Sequence, residues 1–426
     1  MSIIVLFAIF FTLLLIGAPI AIALGASTFV SLISFTPISP IEISSMIFEK
    51  VEHYSLMAIP MFILAGNLLS KGSSAHRIIE FAKSIVGHLP GGLPIAAIFA
   101  SIIFAAVSGS SPATVVAIGS IMFGAIVQAG YPRKYAVGTI ATAGSLGILI
   151  PPSIVLIVFG VTAEVSIGKL FMAGVVPGIM LGLMLMIVTY IGAVRLGFKR
   201  TTPAPFKERL VKMKDASWGL MTIVIVIGGI YGGIFTPTEA AAAAAVWAFF
   251  ISAFVYKDIK PSDFWEISLS SAKTTSMIMF IIANAMLFAH FLTMENIPQL
   301  ITQTLIDWEV DKIMFLMFVN VLLIVAGAFM EPSAIIMIMV PLLLPVAVAL
   351  GINPIHFGIM ITINMELGMV SPPVGLNLFV TSSLTGMNMK DVIVATIPWT
   401  MTIFVGLMLV TYIPAISLWL PNLIYG

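Results

Sequence analysis

Long apolar blocks separated by short polar stretches organise this chain. A helix needs about 20 consecutive apolar residues to cross the hydrocarbon core of a bilayer. Blocks of that kind predict spans over 2–17, 18–36, 55–70, 135–165, 170–194, 216–234, 237–256, 276–293, 355–385 and 392–419. Residues 2–36 read as two short spans meeting near Gly17-Ala18-Pro19, mirroring 216–256, where Thr236-Pro237 separates two spans. Two further blocks, 94–129 and 313–350, are interrupted in the middle, at Ser108-Gly109-Ser110-Ser111-Pro112 and at Gly327-Ala328-Phe329-Met330-Glu331-Pro332. Each half is short for a full crossing, so both blocks read as re-entrant helical hairpins. Ser111-Pro112 and Glu331-Pro332 fit a cap followed by proline at the first helical position. Segments 71–88 and 261–275 mix charged and apolar residues and predict amphipathic helices along the membrane surface.

Two of the long blocks carry matching breaks. One reads Gly144-Ser145-Leu146-Gly147-Ile148-Leu149-Ile150-Pro151-Pro152-Ser153, the other Met365-Glu366-Leu367-Gly368-Met369-Val370-Ser371-Pro372-Pro373-Val374. Proline has no N–H to offer the carbonyl four residues back. Pro151 and Pro152 therefore leave Gly147 and Ile148 without helical partners, and Pro372 and Pro373 do the same to Gly368 and Met369. Free carbonyls at membrane depth are tolerated only where they line a cavity or bind something. Equivalent breaks in two halves point to the ion and substrate site of a transporter. The alternative is a pair of kinks that serve packing.

The halves repeat. Gly130 and Gly351, Gly147 and Gly368, Pro151-Pro152 and Pro372-Pro373, and Pro177 and Pro398 all stand 221 residues apart, and Pro112 and Pro332 stand 220 apart. The intervening spans turn the second copy over, which makes an inverted repeat. The fold class is thus an all-α polytopic membrane protein: an inverted repeat with two re-entrant helical hairpins and two broken helices. Residues 1–75 supply scaffold spans of the first copy and 76–93 an amphipathic arm. Residues 94–169 form the first hairpin and broken helix, 170–198 a closing span, and the polar stretch 199–215 a cytoplasmic linker. In the second copy, 216–293 are scaffold spans, 294–312 an external arm, 313–390 the second hairpin and broken helix, and 391–426 the closing span.

Composition agrees. The chain of 426 residues is 60% hydrophobic and 9% charged, where a soluble domain is about 25% charged. Basic residues set the orientation. Lys71, Arg77, Lys83, Arg133, Lys134, the seven between Arg195 and Lys214, Lys257, Lys260, Lys273 and Lys390 all fall in the cytoplasm if the first hairpin enters from that side. The second hairpin, preceded by Asp307, Glu309 and Asp311, then enters from outside, and both termini are external; Lys169 and Lys312 are minor exceptions. The N-terminus reads as a mature span, not a cleaved signal peptide. A net charge of +1 gives no nucleic-acid footprint. With no cysteine there is no disulfide, thiolate metal site or cysteine nucleophile. His53, His76, His88, His290 and His356 are scattered. No phosphate-binding Walker motif and no paired nucleophile and base stand out, so an enzyme is not expected.

The chemistry concentrates at the tips and breaks. C-terminal helix ends with exposed carbonyls suit a cation, and N-termini near Pro112, Ser153, Pro332 and Val374 suit an anion. Ser108, Ser110, Ser111 and Thr114 add hydroxyls. Of the few ionisable groups inside apolar segments, Glu331 sits at the second tip and Glu366 two residues before Gly368. Both are functional candidates to support a cation or carry a proton, against a helix cap for Glu331 and a structural hydrogen bond for Glu366. Asn364 is a candidate substrate contact, with interhelical hydrogen bonding as its alternative. Glu239, in Thr236-Pro237-Thr238-Glu239, fits a capping box. The Ala240–Ala245 run predicts a close-packed helix face.

With the SGSSPAT tip, GILIPPS, SPPVGLN and the repeat, the chain resembles the large, DctM-like membrane subunit of a tripartite ATP-independent periplasmic (TRAP) transporter, within the ion transporter superfamily. The resemblance covers essentially the whole chain. It implies Na⁺-coupled import of an organic acid, of the sialic acid or C4-dicarboxylate class, across the bacterial inner membrane by an elevator mechanism. It implies two or more coupling Na⁺ ions, a periplasmic substrate-binding protein and a small four-span membrane subunit, here expected on a separate chain. Carried over by position, a first Na⁺ site takes carbonyls of Ser108, Gly147, Ile150 and Pro152 with Ser110 nearby. A second takes Gly327, Gly368, Ser371 and Pro373 with Glu331 nearby. The tip GAFMEPSA is not a serine-rich copy of the first. Ser111, Thr114, Asn364 and Glu366 are the substrate candidates. A stand-alone Na⁺/anion symporter is the rival within transport, and an intramembrane enzyme the rival outside it.

Overall fold

Helices make up the regular structure of the computed structural model, which describes residues 2–425 apart from the side chains of Lys50 and Ile306; no strand occurs among the described residues. Residues 2–36 form two helices, α1 (Ser2–Leu15) and α2 (Ile20–Phe35), packed against each other. The chain reverses at Gly17, whose φ of +85° favours glycine. α3 (Pro40–Val51) escaped the hydropathy reading because it is short and mixed. Its signal is local, a capping box in which Ser39 Oγ accepts from Glu42 N at 3.3 Å and Glu42 Oε2 from Ser39 N at 2.7 Å.

α4 (Ala58–Lys71) is followed by the amphipathic arm α5 (Ser74–Val86). The first interrupted block is a hairpin of α6 (Gly92–Ser108) and α7 (Ser111–Gln128), turned at Gly109 and Ser110. The first broken helix is α8 (Arg133–Ser145), a 3-10 turn at Leu146–Ile148, and α9 (Ile154–Thr162). α10 (Ile167–Arg195) runs through Pro177 without interruption. α11 (Phe206–Ile223) passes through a π turn at Val224–Gly228 into the short α12 (Gly229–Tyr231). The stretch expected as a linker, 199–215, is therefore irregular only up to Pro205; from Phe206 its apolar and basic residues already form α11.

α13 (Pro237–Phe250) continues through a π turn at Ile251–Val255. It starts on the capping box expected of Thr236 and Glu239, and it lays Ala240, Ala241, Ala244, Ala245 and Ala248 against α4. α14 (Pro261–Met294) corrects the sequence reading. Its 34 residues are one helix, about 51 Å long at 1.5 Å per residue. The segment 261–275 is no separate helix, because no Gly or Pro after Pro261 separates it from 276–293. α15 (Ile297–Asp307) falls within the stretch 294–312.

The second hairpin is α16 (Lys312–Gly327) and α17 (Pro332–Ala349); α17 keeps Pro341 and Pro345 inside it. The second broken helix is α18 (Pro354–Met369) and α19 (Leu376–Thr385), interrupted over 370–375. α20 (Met389–Tyr412) and α21 (Ala415–Tyr425) divide what hydropathy joined as 392–419, since Pro414 ends the first. Seven helical stretches are long and apolar enough to cross a membrane among the described residues. They include α7 and α17, the second arm of each hairpin, which at 18 residues stand at the upper end of the lengths expected of the hairpin halves.

Candidate functional site

Each hairpin turn locks onto a break. In the first half, Gly109 adopts φ +60°, and a Cβ there would lie 2.7 Å from Pro152 O. Its carbonyl accepts from Ile154 N at 3.4 Å, the first residue of α9. In the second half, Ala328 O accepts from Val374 N and Gly375 N, both at 3.2 Å. A hairpin carbonyl thus receives the chain where the second half-helix begins, in both halves. The Pro151–Pro152 and Pro372–Pro373 bonds are both cis.

The carbonyls stranded by proline are partly rescued. Ile148 O is reached by the hydroxyl of Ser153, and Gly368 O by Ser371 N at 3.0 Å. Gly147 is not rescued in this way: Ile150 N turns back to Leu146 O at 3.1 Å, and residues 151 and 152 have no N–H. At the second break Met369 O faces the same situation, because Val374 N goes to Ala328 O. Of the carbonyls stranded by proline, one per break thus has no hydrogen-bond partner among the described residues, and free carbonyls of unwound helix are what a cation site is assembled from.

The glycines are there for close approach. A Cβ on Gly147 would meet Ser110 O at 2.7 Å and Thr114 Oγ1 at 2.9 Å; one on Gly368 would meet Gly327 Cα at 2.6 Å. Ser108, Ser110 and Thr114 are knotted together: Ser108 Oγ and Thr114 Oγ1 share a hydrogen bond of 2.9 Å, and Thr114 Oγ1 donates to Ser110 O at 2.9 Å. Ser371 Oγ donates to Leu367 O at 2.6 Å. Glu331 caps α17. Its Oε2 accepts from Ser333 N at 2.9 Å and Ala334 N at 3.3 Å, and its Oε1 from Ser333 Oγ at 3.0 Å.

In front of these turns lies a cavity of about 310 Å³. Its walls include Ser108, Ser110 and Ser111 of the first turn, Ile148 and Ile154 of the first break, and Glu331 and Ser333 of the second turn. Met369 and Leu376 of the second break complete that side, and Asn67 of α4 and Thr274 of α14 line the opposite one. No Lys or Arg lines it among the described residues. The N-terminus of α7 carries no side-chain cap, whereas α9 is capped by Ser153 and α17 by Glu331. Unclaimed N–H groups of α7 at this wall suit an anion.

Of the substrate candidates, the structure brings only Ser111 to the cavity wall. Thr114 stands behind it, bonded within the turn. Asn364 lies elsewhere, donating to Asn320 Oδ1 at 2.7 Å and Met360 O at 3.1 Å, while Asn320 reaches Thr411 Oγ1 at 3.3 Å. That is the interhelical alternative, tying α18 to α16 and α20. Glu366 is fully buried away from the wall, and neither carboxyl oxygen has a hydrogen-bond partner among the described residues. Of the ion candidates, Ser108, Ser110 and Glu331 face the cavity; Gly147, Ile150, Pro152, Gly327, Gly368, Ser371 and Pro373 form the turns and breaks behind it. Missed by the sequence reading were Asn67, Thr274 and Asn377. Asn67 had a signal, as a lone amide inside an apolar span; its Nδ2 donates to Ser271 Oγ at 2.8 Å.

An all-helical bundle whose mainly apolar cavity, edged by serine hydroxyls and Glu331, is walled by two hairpin turns and two interrupted helices is built as a membrane transporter. The chain belongs to the family described as "Tripartite ATP-independent periplasmic transporter, DctM component", whose family model matches residues 7–416. It is similar to the C4-dicarboxylate TRAP transporter large permease protein DctM of Pseudomonas aeruginosa, 52% identical over 94% of both chains. It is also similar to the sialic acid TRAP transporter large permease protein SiaM of Vibrio cholerae, 34% identical over 88% of both. The Alcanivorax borkumensis YdaH transporter shares the fold, with a TM-score of 0.63 over 90% of both chains at 14% identity.

Proposed function

We propose that this chain is the transport subunit of a Na⁺-coupled TRAP importer in a bacterial inner membrane, and that its substrate is a C4-dicarboxylate. The carrying observation is the cavity, into which both hairpins and both breaks converge opposite α4 and α14. Greater identity to the relative named for C4-dicarboxylates than to the one named for sialic acid supports the substrate class.

The mechanism follows from the charges. A substrate carboxylate docks at the uncapped start of α7, taking N–H groups of Ser111 and Ala113 with the Ser110 hydroxyl beside it, while the Ser111 hydroxyl stays bound to Asn377 and fixes that turn. Asn67 and Thr274 meet the other end of the solute from the opposite wall. The lining holds no basic side chain to neutralise a dianion, so the counter-charge comes from co-transported Na⁺. The unclaimed carbonyls of Gly147 and Met369 fit that ion, each joined by oxygens of the neighbouring turn: Ser108, Ser110, Ile150 and Pro152 in the first half, Gly327, Gly368, Ser371, Pro373 and Glu331 in the second. Because the same turns hold ion and substrate, loading one organises the other, which is the basis of coupling.

In the elevator reading, hairpins that re-enter from opposite sides and the two broken helices, related as inverted repeats, move together against α4, α13 and α14. The unequal burial of the breaks supports alternating access: Pro151–Ser153 is buried while Pro372–Val374 is exposed. A periplasmic binding protein delivers the solute, and a small four-span subunit completes the scaffold. Uptake of labelled succinate and sialic acid into proteoliposomes tests this, with the chain alone or with both partners, and with or without an inward Na⁺ gradient. Succinate uptake that needs all three components and Na⁺ is expected. Na⁺-driven uptake by this chain alone overturns the tripartite reading, and Na⁺-independent uptake overturns the coupling.

A further inference from the structure

On the face of the bundle away from the cavity, α8, α10 and α20 leave a groove of about 590 Å³. Its floor is apolar and aromatic: Tyr135, Val188, Ile191, Val394, Pro398 and Trp399. The floor is rigid. The Tyr135 hydroxyl donates to the Thr189 carbonyl, Trp399 Nε1 donates to Thr189 Oγ1 at 2.8 Å, and the two rings meet edge to face at 5.2 Å. Ile191 and Val394 are each nearly half exposed, so the groove opens onto the outer surface that a membrane protein turns to lipid.

One end of the groove is charged. Lys134 stands in the first turn of α8, Arg195 closes α10, and both line it. Asp391, the acidic group at this end, is already held by Lys134 at 2.9 Å, and Lys390 precedes it. Arg195 has no ion pair among the described residues. The end is therefore net positive, and a guanidinium is the side chain best shaped for a phosphate. From Arg195 to Val188 is seven residues of helix, about 10 Å along the axis, so the groove runs from a charged rim into the depth of acyl chains. Arg195 and Lys134 also belong to the clusters that mark the cytoplasmic side.

We infer that this groove is a binding site for one anionic glycerophospholipid of the inner leaflet, its phosphate on Arg195 and Lys134 and one acyl chain along Ile191, Val188 and Trp399. A zwitterionic lipid fills the same apolar floor but leaves the surplus positive charge at the rim unmatched. The lipid closes a seam between the first half of a broken helix and the closing spans of both copies.

Trp399 reports on occupancy. The full chain is placed in phosphatidylcholine nanodiscs with increasing mole fractions of phosphatidylglycerol carrying brominated acyl chains. The Trp399 signal is the difference between wild-type and Trp399→Phe emission. Quenching is expected at a several-fold lower mole fraction than with brominated phosphatidylcholine. In the double variant Arg195→Ala/Lys134→Ala the phosphatidylglycerol curve is expected to fall onto the phosphatidylcholine one. Native mass spectrometry of the wild type and the double variant, which keeps Trp399, is the second readout. One retained anionic lipid in the wild type and none in the variant is expected. Coincident quenching curves in the wild type, or equal lipid retention by both proteins, overturns the proposal.

Discussion

Asn377 and Ser111 bind each other across the two halves of the chain. The Ser111 hydroxyl donates to Asn377 Oδ1 at 3.0 Å and accepts from Asn377 Nδ2 at 2.7 Å, and the same Nδ2 reaches Ala141 O at 3.3 Å. The start of the first hairpin's second arm is thereby tied to the second half of the second broken helix. Both residues are fully buried, so removing either strands a polar partner, at about 1–3 kcal/mol. Asn377→Ala and Ser111→Ala are each expected to lower stability in that range. Their double variant is expected to be less destabilised than the sum of the singles, with a coupling of about 1 kcal/mol. Denaturant titration of the detergent-solubilised protein measures it; strict additivity contradicts a direct tie.

Glycines at the breaks are expected to be intolerant where a helical glycine elsewhere is not. A methyl group at Gly147 or Gly368 would meet backbone at 2.7 Å or less, and backbone cannot step aside as a flexible side chain can. Gly147→Ala and Gly368→Ala should each cost about 1–3 kcal/mol and weaken Na⁺-dependent uptake. Gly124, in α7, has no atom within 4 Å of its Cβ position, so Gly124→Ala should be neutral or gain up to about 1 kcal/mol. Thermal unfolding and uptake of the three variants together decide the matter.

The elements that hydropathy and proline define were legible in the sequence: the two helices before residue 36, both hairpins, both breaks and the capping box at Thr236. Elements set by local caps or by tertiary packing were not. α3 rests on Ser39 and Glu42, whose box is too local for a span-length window. The continuity of α14 past 275 had a signal, the absence of Gly and Pro after Pro261, but the change from mixed to apolar residues at that point masked it. Backbone chemistry showed where the two helices break, but which stranded carbonyl finds a donor depends on side chains such as Ser153 and on Ser371 N. Side-chain roles were the least legible. Asn364 and Asn377 are both amides in broken helices, and only their neighbours, Asn320 in one case and Ser111 in the other, show what each one does.

The arm α5 should respond to pH only in acid. Burial works against ionisation of Glu80, but its bond to Lys83 at 2.8 Å and the nearby Lys212 at 3.4 Å outweigh it and hold the carboxyl below its ordinary value. A carboxylate with a lowered folded-state pKa contributes stability that is present above its unfolded value, about 4.3, and lost as pH falls through the folded one. Hydrogen exchange of Ser74–Val86 should therefore show constant protection from neutral pH down to about 5 and a loss only in stronger acid. Glu80→Gln should show the weaker protection at every pH, by less than about 1 kcal/mol for a pair that water still reaches. An onset of the loss near neutral pH would assign it to another group.

Glu331 offers two functions that substitution can separate. As a cap it accepts three hydrogen bonds from Ser333 and Ala334; as a carboxylate at the cavity wall it supplies negative charge near the second break. Glu331→Ala removes both and should cost about 0.5–2 kcal/mol of stability. Glu331→Gln keeps an acceptor oxygen for the α17 N–H groups and removes only the charge, so its unfolding midpoint should stay close to wild type. If the charge supports the ion, the Gln variant should need roughly tenfold more Na⁺ for half-maximal uptake, about 1.4 kcal/mol of ion affinity. Glu331→Ser restores a capping side chain without the charge and should behave like the Gln variant in both respects. A Gln variant with wild-type stability and wild-type Na⁺ dependence would leave the carboxylate as a helix cap alone and confine the second ion site to the carbonyls of the break.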